Sequence, residues 1–279
     1  METIVSILCD NSIKAPGFMG EHGFSALIER NGEKLLFDAG SALSIEHNLK
    51  KLDRNLEGLT KILVSHGHYD HTGGLKWVLE QVGRVEVVAH PAMFSKHMAR
   101  NPEDPNDTGR YIGCPYPREE LEQLGAVFRF TDRSIEVVSG VWFLVGIERE
   151  QDHVPSDPRL VLPGGGSLQL DPIEDDASLL IETDEDPVLV LGCAHGGVLN
   201  ILDHAKNEMG VNKLKAILGG THLLLVGSKD MPEIIEKFEE FSVKLLGVSH
   251  CTGMKATLEL ARHFGDRFEL ASAGSVFRF

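Results

Sequence analysis

Residues 61–74 read KILVSHGHYDHTGG, a short apolar run that opens at Ser65 into three histidines and an aspartate. His66 and His68 are two apart, so on extended backbone their side chains point the same way. Asp70 and His71 fall at the turn into a following helix, where they address a neighbouring spot. Neutral imidazole and carboxylate are the ligands that zinc, iron and manganese take. One loop can thus serve two adjacent cations, and cations about 3.5–4 Å apart activate a water between them. The competing reading is a polar surface loop. The position at a strand end, with Gly73 and Gly74 behind it, favours metal.

The rest of the chain sets bounds on what surrounds this loop. Of its 279 residues 42% are hydrophobic and 25% charged, which is ordinary globular usage with ample core material. The formal net charge is −15, which argues against nucleic acid or an anionic membrane surface as a partner. An anionic small-molecule substrate in a locally cationic pocket stays compatible with it. No window approaches 18 apolar residues and the N-terminal run has no basic leader, so no membrane span or signal peptide is expected. Cys9, Cys114, Cys193 and Cys251 form no CxxC pair, which suits a reducing cytoplasm. Nothing in the sequence sets an oligomeric state.

Periodicity predicts strands at 4–9, 24–30 and 33–37, the last two joined by the Asn31-Gly32 turn. A helix is expected over 41–52, a strand at 61–65, a helix at 75–82 and a strand at 85–89. Residues 101–117 and 151–172, rich in Pro, Gly and Asp, read as irregular loops that shape a pocket. Strands follow near 126–130, 134–138, 141–147, 178–183 and 188–191. The last third alternates helices at 197–208, 230–240 and 253–263 with strands at 214–218 and 243–248, then a strand pair near 268–278. Each half starts with strands and moves into helix–strand alternation. Two sheets with helices outside them would bury both sets in one core. No linker divides residues 1–279, so a single domain is expected.

HGHYDHTGGL resembles the signature of the metallo-β-lactamase superfamily. EHGFSALIE (21–29), KLLFDAG (34–40), VVAHP (87–91), VLGCAHGGVLNIL (190–202), ILGGTHLL (217–224), SHCTGMKA (249–256) and the AG at 273–274 are similar to one branch of it. That branch includes the methanogen dihydropterin synthases, which join a dihydropterin to a ribofuranosyl-aminobenzene phosphate. The resemblance implies a four-layer αββα sandwich with metal at the sheet edges. It implies His66 and His68 as ligands of one ion, Asp70 and His71 as ligands of a second, His195 completing the first site and His250 the second. Zinc is the first expectation, as one or two ions, with iron or manganese as alternatives.

The chain departs from the pattern twice. Gly192-Cys193 stands where most members carry Gly-Asp with a bridging aspartate, and Cys193 reads as inert packing ahead of a soft ligand. The expected His-x-x-Gly-His segment is missing, and Asp175 and Asp176 in its place read equally as approaching the metals or as an acidic turn. Asp38 either orients a ligand histidine, as the resemblance implies, or bonds its own turn. His222, His22 and His90 stand at strand ends, as pocket groups or as structural histidines. His153 enters the site if the 151–172 loop folds over it. His47, His97, His204 and His263 are expected on helices without partners, as surface or interface residues.

Metal held by His and Asp suits hydrolysis of an ester, phosphoester or lactone-like small molecule, with Asp70 and His222 as candidate catalytic groups. A dihydropterin-synthase-like transferase is the alternative, and a non-hydrolytic iron redox or binding protein a second one. No GxSxG motif or P-loop competes.

Overall fold

The computed structural model describes residues 2–104, 106–165 and 167–279. Gly166, in the 151–172 stretch, and Pro105, in the 101–117 stretch, lie outside them. Two seven-stranded sheets stack face to face, and each repeats one scheme. In the first, Val276–Arg278, Thr3–Cys9, Ser25–Arg30 and Glu33–Phe37 run antiparallel in that spatial order. Lys61–Leu63, Val85–Ala89 and Ala126–Phe130 then continue parallel. In the second, Ile135–Val138, Val141–Leu144, Ser178–Ile181 and Val188–Leu191 are antiparallel. Ala216–Gly220, Leu245–Ser249 and Phe268–Leu270 continue parallel.

Most strands are apolar on both faces, because both faces are covered. Alternate residues split between layers. Ile7, Ile28, Leu35, Phe37, Phe143, Leu179, Val188, Val190 and Leu218 fill the space between the sheets. Their neighbours Leu8, Leu27, Leu36 and Ile62 face outward to Ser44–Lys51 and Leu75–Val82. Leu180, Leu189, Leu191 and Ile217 face the helices Val198–Met209, Met231–Glu240 and Met254–Phe264 on the other side. The result is the expected αββα sandwich. No helix among the described residues is long and apolar enough to cross a membrane.

Two expectations are corrected. The stretch 151–172 is no structureless loop: Leu160–Gly164 and Ser167–Leu170 form a hairpin that joins Met98–Ala99 and Arg110–Tyr111 in a small third sheet. Pro163 and the glycines masked this strand in the sequence, but Pro163 sits where the ladder tolerates it. The two C-terminal strands do not pair with each other. Phe268–Leu270 extends the second sheet, and Val276–Arg278 crosses to the first, antiparallel to Thr3–Cys9.

Six segments at carboxyl ends of strands meet at one edge of the sandwich: residues 10–11, 38, 65–71, 192–195, 221–222 and 250. The two sheets touch there so closely that a side chain at Gly192 would lie 2.3 Å from Ser65 Oγ. Asp38, Ala194, His222 and His250 all adopt positive φ (58°, 58°, 51° and 49°). Such conformations cost about 1–3 kcal/mol each for bulky residues, and the surrounding packing must hold them. Replacing Leu179, fully buried between the sheets, by alanine is expected to cost about 2–5 kcal/mol, read as a lower urea midpoint. An unchanged midpoint would show that the sheets do not depend on this layer.

Candidate metal centre

Asp38 organises the loop that was quoted first. Its carboxylate accepts hydrogen bonds from Ser65 N (2.7 Å), Ser65 Oγ (2.6 Å) and His71 Nδ1 (2.6 Å). The Ser65 hydroxyl hydrogen is spent on Asp38, so its oxygen accepts from His66 Nδ1 at 2.9 Å. Both rings are thereby fixed with the hydrogen on Nδ1 and a lone pair on Nε2. Across the edge, His250 Nδ1 lies 3.0 Å from Asn11 Oδ1, and that oxygen also accepts from Gly23 N. His250 Nδ1 is therefore a donor, and its backbone N–H donates to Asp10 Oδ1 at 2.7 Å. Asp10 and Asn11, at the end of the first strand, are site residues that the sequence reading missed. A polar Asp-Asn pair closing a buried apolar strand was the available signal.

The free atoms converge in two sets. His66 Nε2 lies 3.0 Å from His68 Nδ1, and the His195 ring stands 4.8 and 5.1 Å from those two rings. The buried His195 Nε2 has no hydrogen-bond partner. In the second set, His71 Nε2 lies 3.3 Å from His250 Nε2, which lies 3.3 Å from Asp70 Oδ2. Ligand atoms of one tetrahedral zinc stand about 3.3–3.6 Å apart, given bonds of roughly 2.0–2.3 Å. The two 3.3 Å spacings of the second set match, the 3.0 Å spacing between His66 and His68 is shorter, and the donor set suits a borderline cation. The structure thus places His66, His68 and His195 together, and His71 and Asp70 each against His250.

Electrostatics says the same. Burial works against the Asp70 carboxylate, yet hydrogen bonds from His22 and His250 hold it well below the usual range. Burial pushes His68 down to about 4, and His66 and His195 also lie well below their ordinary value for that reason, helped by neighbouring rings. They present lone pairs, as ligands do. Burial disfavours charge on His250, but Asp70 outweighs it and raises that histidine to about 9. The second set therefore attracts positive charge, whether a proton or a divalent cation that displaces it.

Several other expectations change. Asp175 and Asp176 each give one carboxylate oxygen to backbone, and the Oδ1 atom of each is buried without a hydrogen-bond partner. Asp175 Oδ2 accepts from Gly67 N (2.6 Å), and Asp176 Oδ2 from Gly196 N (2.8 Å), so they hold the loops carrying His66, His68 and His195. His97 is not a surface helix residue. It is buried beside His68, its Nδ1 2.6 Å from Asp171 Oδ2 and its Nε2 3.7 Å from Asp175 Oδ2. Burial opposes its charge, but the two carboxylates raise it to about 9, so it ties the third sheet to the site loop as an imidazolium. Cys193 does not sit in aliphatic packing: its Sγ lies 3.2 Å from His71 Nε2.

His222 is buried 4.2 Å from the His195 ring, with neither ring nitrogen hydrogen-bonded. His22 is more exposed and reaches Asp70 Oδ2 at 3.1 Å. His90 caps the turn after its strand by accepting from Ala92 N. His153 contacts Glu150 and Glu233, away from the cluster. His47, His204 and His263 bond Gly17 O, Ser134 Oγ and Glu239.

A cleft of about 900 Å³ opens over the two sets. One wall carries Arg100, Arg110 and Arg159 from the third sheet and its connections, beside Tyr69 and Ile112. Asp70, Asp107 and Asp157 line the same cleft, and Asp157 holds Arg159 in a two-pronged pair. The conservative change Asp38→Asn removes the charge that fixes both tautomers. Metal affinity, measured by chelator competition, should fall about 10–100-fold with the fold retained. Unchanged affinity would show that Asp38 only closes its own turn.

Residues 19–226 match the family described as the metallo-beta-lactamase superfamily. The chain is 31% identical over 273 residues to a 7,8-dihydropterin-6-methyl-4-(beta-D-ribofuranosyl)-aminobenzene-5'-phosphate synthase of Methanocaldococcus jannaschii, covering 94% of this chain and 91% of the relative. The solved structure of Tm1679, described as a metal-dependent hydrolase of the beta-lactamase superfamily, superposes with a TM-score of 0.83 at 28% identity. The match covers 99% of this chain and 98% of that one. The metallo-beta-lactamase fold protein YhfI of Bacillus subtilis shares the fold at a TM-score of 0.60 and 11% identity, with both chains fully covered.

Proposed function

We propose that this chain, which belongs to the metallo-beta-lactamase superfamily, is a metal-dependent hydrolase of an ester, phosphoester or lactone-like small molecule that carries an anionic group. The observation that carries the reading is the meeting of His66, His68 and His195, and of Asp70, His71 and His250, as two ligand sets under one cleft. Zinc is the expected cation, as one or two ions, with iron or manganese as substitutes. His66, His68 and His195, with Asp70, His71 and His250, would hold the cations, whose chemistry would be to polarise the scissile bond and lower the pKa of bound water.

The chain's own residues do the rest. Asp70, ionised and facing the cleft, accepts the proton of the attacking group, and His22 and His250 against its carboxylate orient it. His222 has two unpartnered ring nitrogens over the site and is the group that donates to the leaving oxygen. Arg100 and Arg110 receive the anionic part of the substrate. Arg159 is already engaged in a two-pronged pair with Asp157, at 2.8 and 2.6 Å. Four free cysteines fit a reducing cytoplasmic setting.

A second reading is transfer, as in the synthase relative. The size of the cleft favours it, since about 900 Å³ exceeds what a small ester fills. Assay of metal-loaded protein on phosphoester, lactone and ester panels, beside dihydropterin binding, separates the two. Turnover of one panel supports hydrolysis. Tight pterin binding with no turnover supports transfer.

His66→Ala should release metal and lose activity by at least two orders of magnitude while the circular dichroism spectrum persists. A fully active, metal-poor variant would refute the metal role. Arg110→Ala should raise KM for an anionic substrate about tenfold and leave a neutral analogue unchanged. Equal effects on both would contradict the anion-holding role.

A further inference from the structure

We propose that Cys193 and Cys251 form a site of reversible thiol oxidation, closing to a disulfide in the cleft when a peroxide reaches them. The disulfide stands apart from the hydrolase reading. Its effect on metal binding rests on the two ligand sets described above.

Three neighbouring strands set up the pair. Val188–Leu191, Ala216–Gly220 and Leu245–Ser249 run parallel, and the middle one separates the two segments that carry the cysteines. Both sulfurs meet over its end. Cys193 Sγ, Cys251 Sγ and a ring nitrogen of His250 all lie within 4.8 Å of one another. Cys251 Sγ also stands 3.3 Å from Cys193 O. The room for this comes from Gly220, which ends the middle strand. A Cβ there would lie 2.6 Å from Cys251 Sγ and 3.4 Å from Cys193 Cα. A disulfide needs about 2.05 Å between its sulfurs. Side-chain rotation with a small loop shift closes the gap, because both cysteines lie past the ends of their strands and outside the ladders.

Both thiols are free and both line the cleft, with Cys251 the more exposed. Cys9 and Cys114 are buried elsewhere, Cys9 against Glu21 and Cys114 against Tyr116 O. Cys251 therefore meets the oxidant first. Its sulfur takes one peroxide oxygen, the O–O bond breaks and a water leaves, giving a sulfenic acid. Cys193 Sγ then attacks that sulfur, the S–O bond breaks and a second water leaves. Two thiols lose two protons and two electrons, and one hydrogen peroxide becomes two waters. A dithiol reverses the bond by exchange.

The bond ties together the segments that carry His195 and His250, one from each ligand set. It also draws Cys193 Sγ away from His71 Nε2, now 3.2 Å distant. A site that must hold its ligands within about 0.5 Å does not survive such a pull intact. Oxidation releases the cations, and reduction restores their binding.

The full chain, freed of metal, is treated with hydrogen peroxide, its remaining thiols are alkylated, and the peptides are mapped by mass. Two of the four cysteines should escape alkylation, joined in a Cys193–Cys251 peptide that dithiothreitol splits. Zinc affinity by chelator competition should fall about 10–100-fold in the oxidised chain and recover on reduction. In Cys251→Ser the cross-link should vanish and zinc affinity should no longer respond to peroxide. Four alkylated thiols after peroxide, a sulfinic acid at Cys251 without a cross-link, or a cross-link through Cys9 or Cys114 overturns the site. A Cys193–Cys251 cross-link that leaves zinc affinity unchanged overturns its control of the metal. A reduced chain that binds no zinc sinks the metal reading, and the cross-link is then judged by mass alone.

Discussion

Six side chains of metal-ligating type meet at one sheet edge because hydrogen bonds behind them fix their rings. His66 is held through its Nδ1 by Ser65, His71 through its Nδ1 by Asp38, and His250 through its Nδ1 by Asn11. Asp38 is the anchor of that network. By taking Ser65 and His71 as donors, and through Ser65 the ring of His66, one carboxylate sets the tautomer of a ligand in each set. Asn11 does the same for His250 from the other end of the edge.

The sandwich exists to make this possible. Parallel strands in both sheets end at one edge, so residues far apart in sequence reach each other without long excursions. Apolar layers on both faces of each sheet supply the stability against which left-handed Asp38, Ala194, His222 and His250 are held. Dry surroundings then strengthen each electrostatic contact, since neighbouring charges interact far more strongly away from water. The third sheet adds an arginine-bearing wall, linked to the metal loop through His97, Asp171 and Asp175.

What the sequence disclosed follows the same physics. The H-x-H-x-D-H loop is local, and its spacing alone places two ligands on each side. His195 and His250 were readable because each follows an apolar strand directly. The Asn31-Gly32 turn and the doubly buried runs gave the layers. Contacts across the edge were not legible, since no periodicity links Asp10 and Asn11 to His250, or Asp175 to Gly67. His97 looked like a surface residue because its partners lie 74 and 78 positions later. Cys193 looked like packing because a cysteine beside an apolar strand usually is.

The central claim is that this edge holds two cations in two defined ligand sets. Anomalous X-ray diffraction at the zinc edge, from crystals of zinc-loaded protein, tests it most directly. Two peaks are predicted, one within about 2.0–2.3 Å of His66, His68 and His195, the other at the same distance from Asp70, His71 and His250. No peak at the sheet edge, or a zinc bound elsewhere on the chain, would contradict the account.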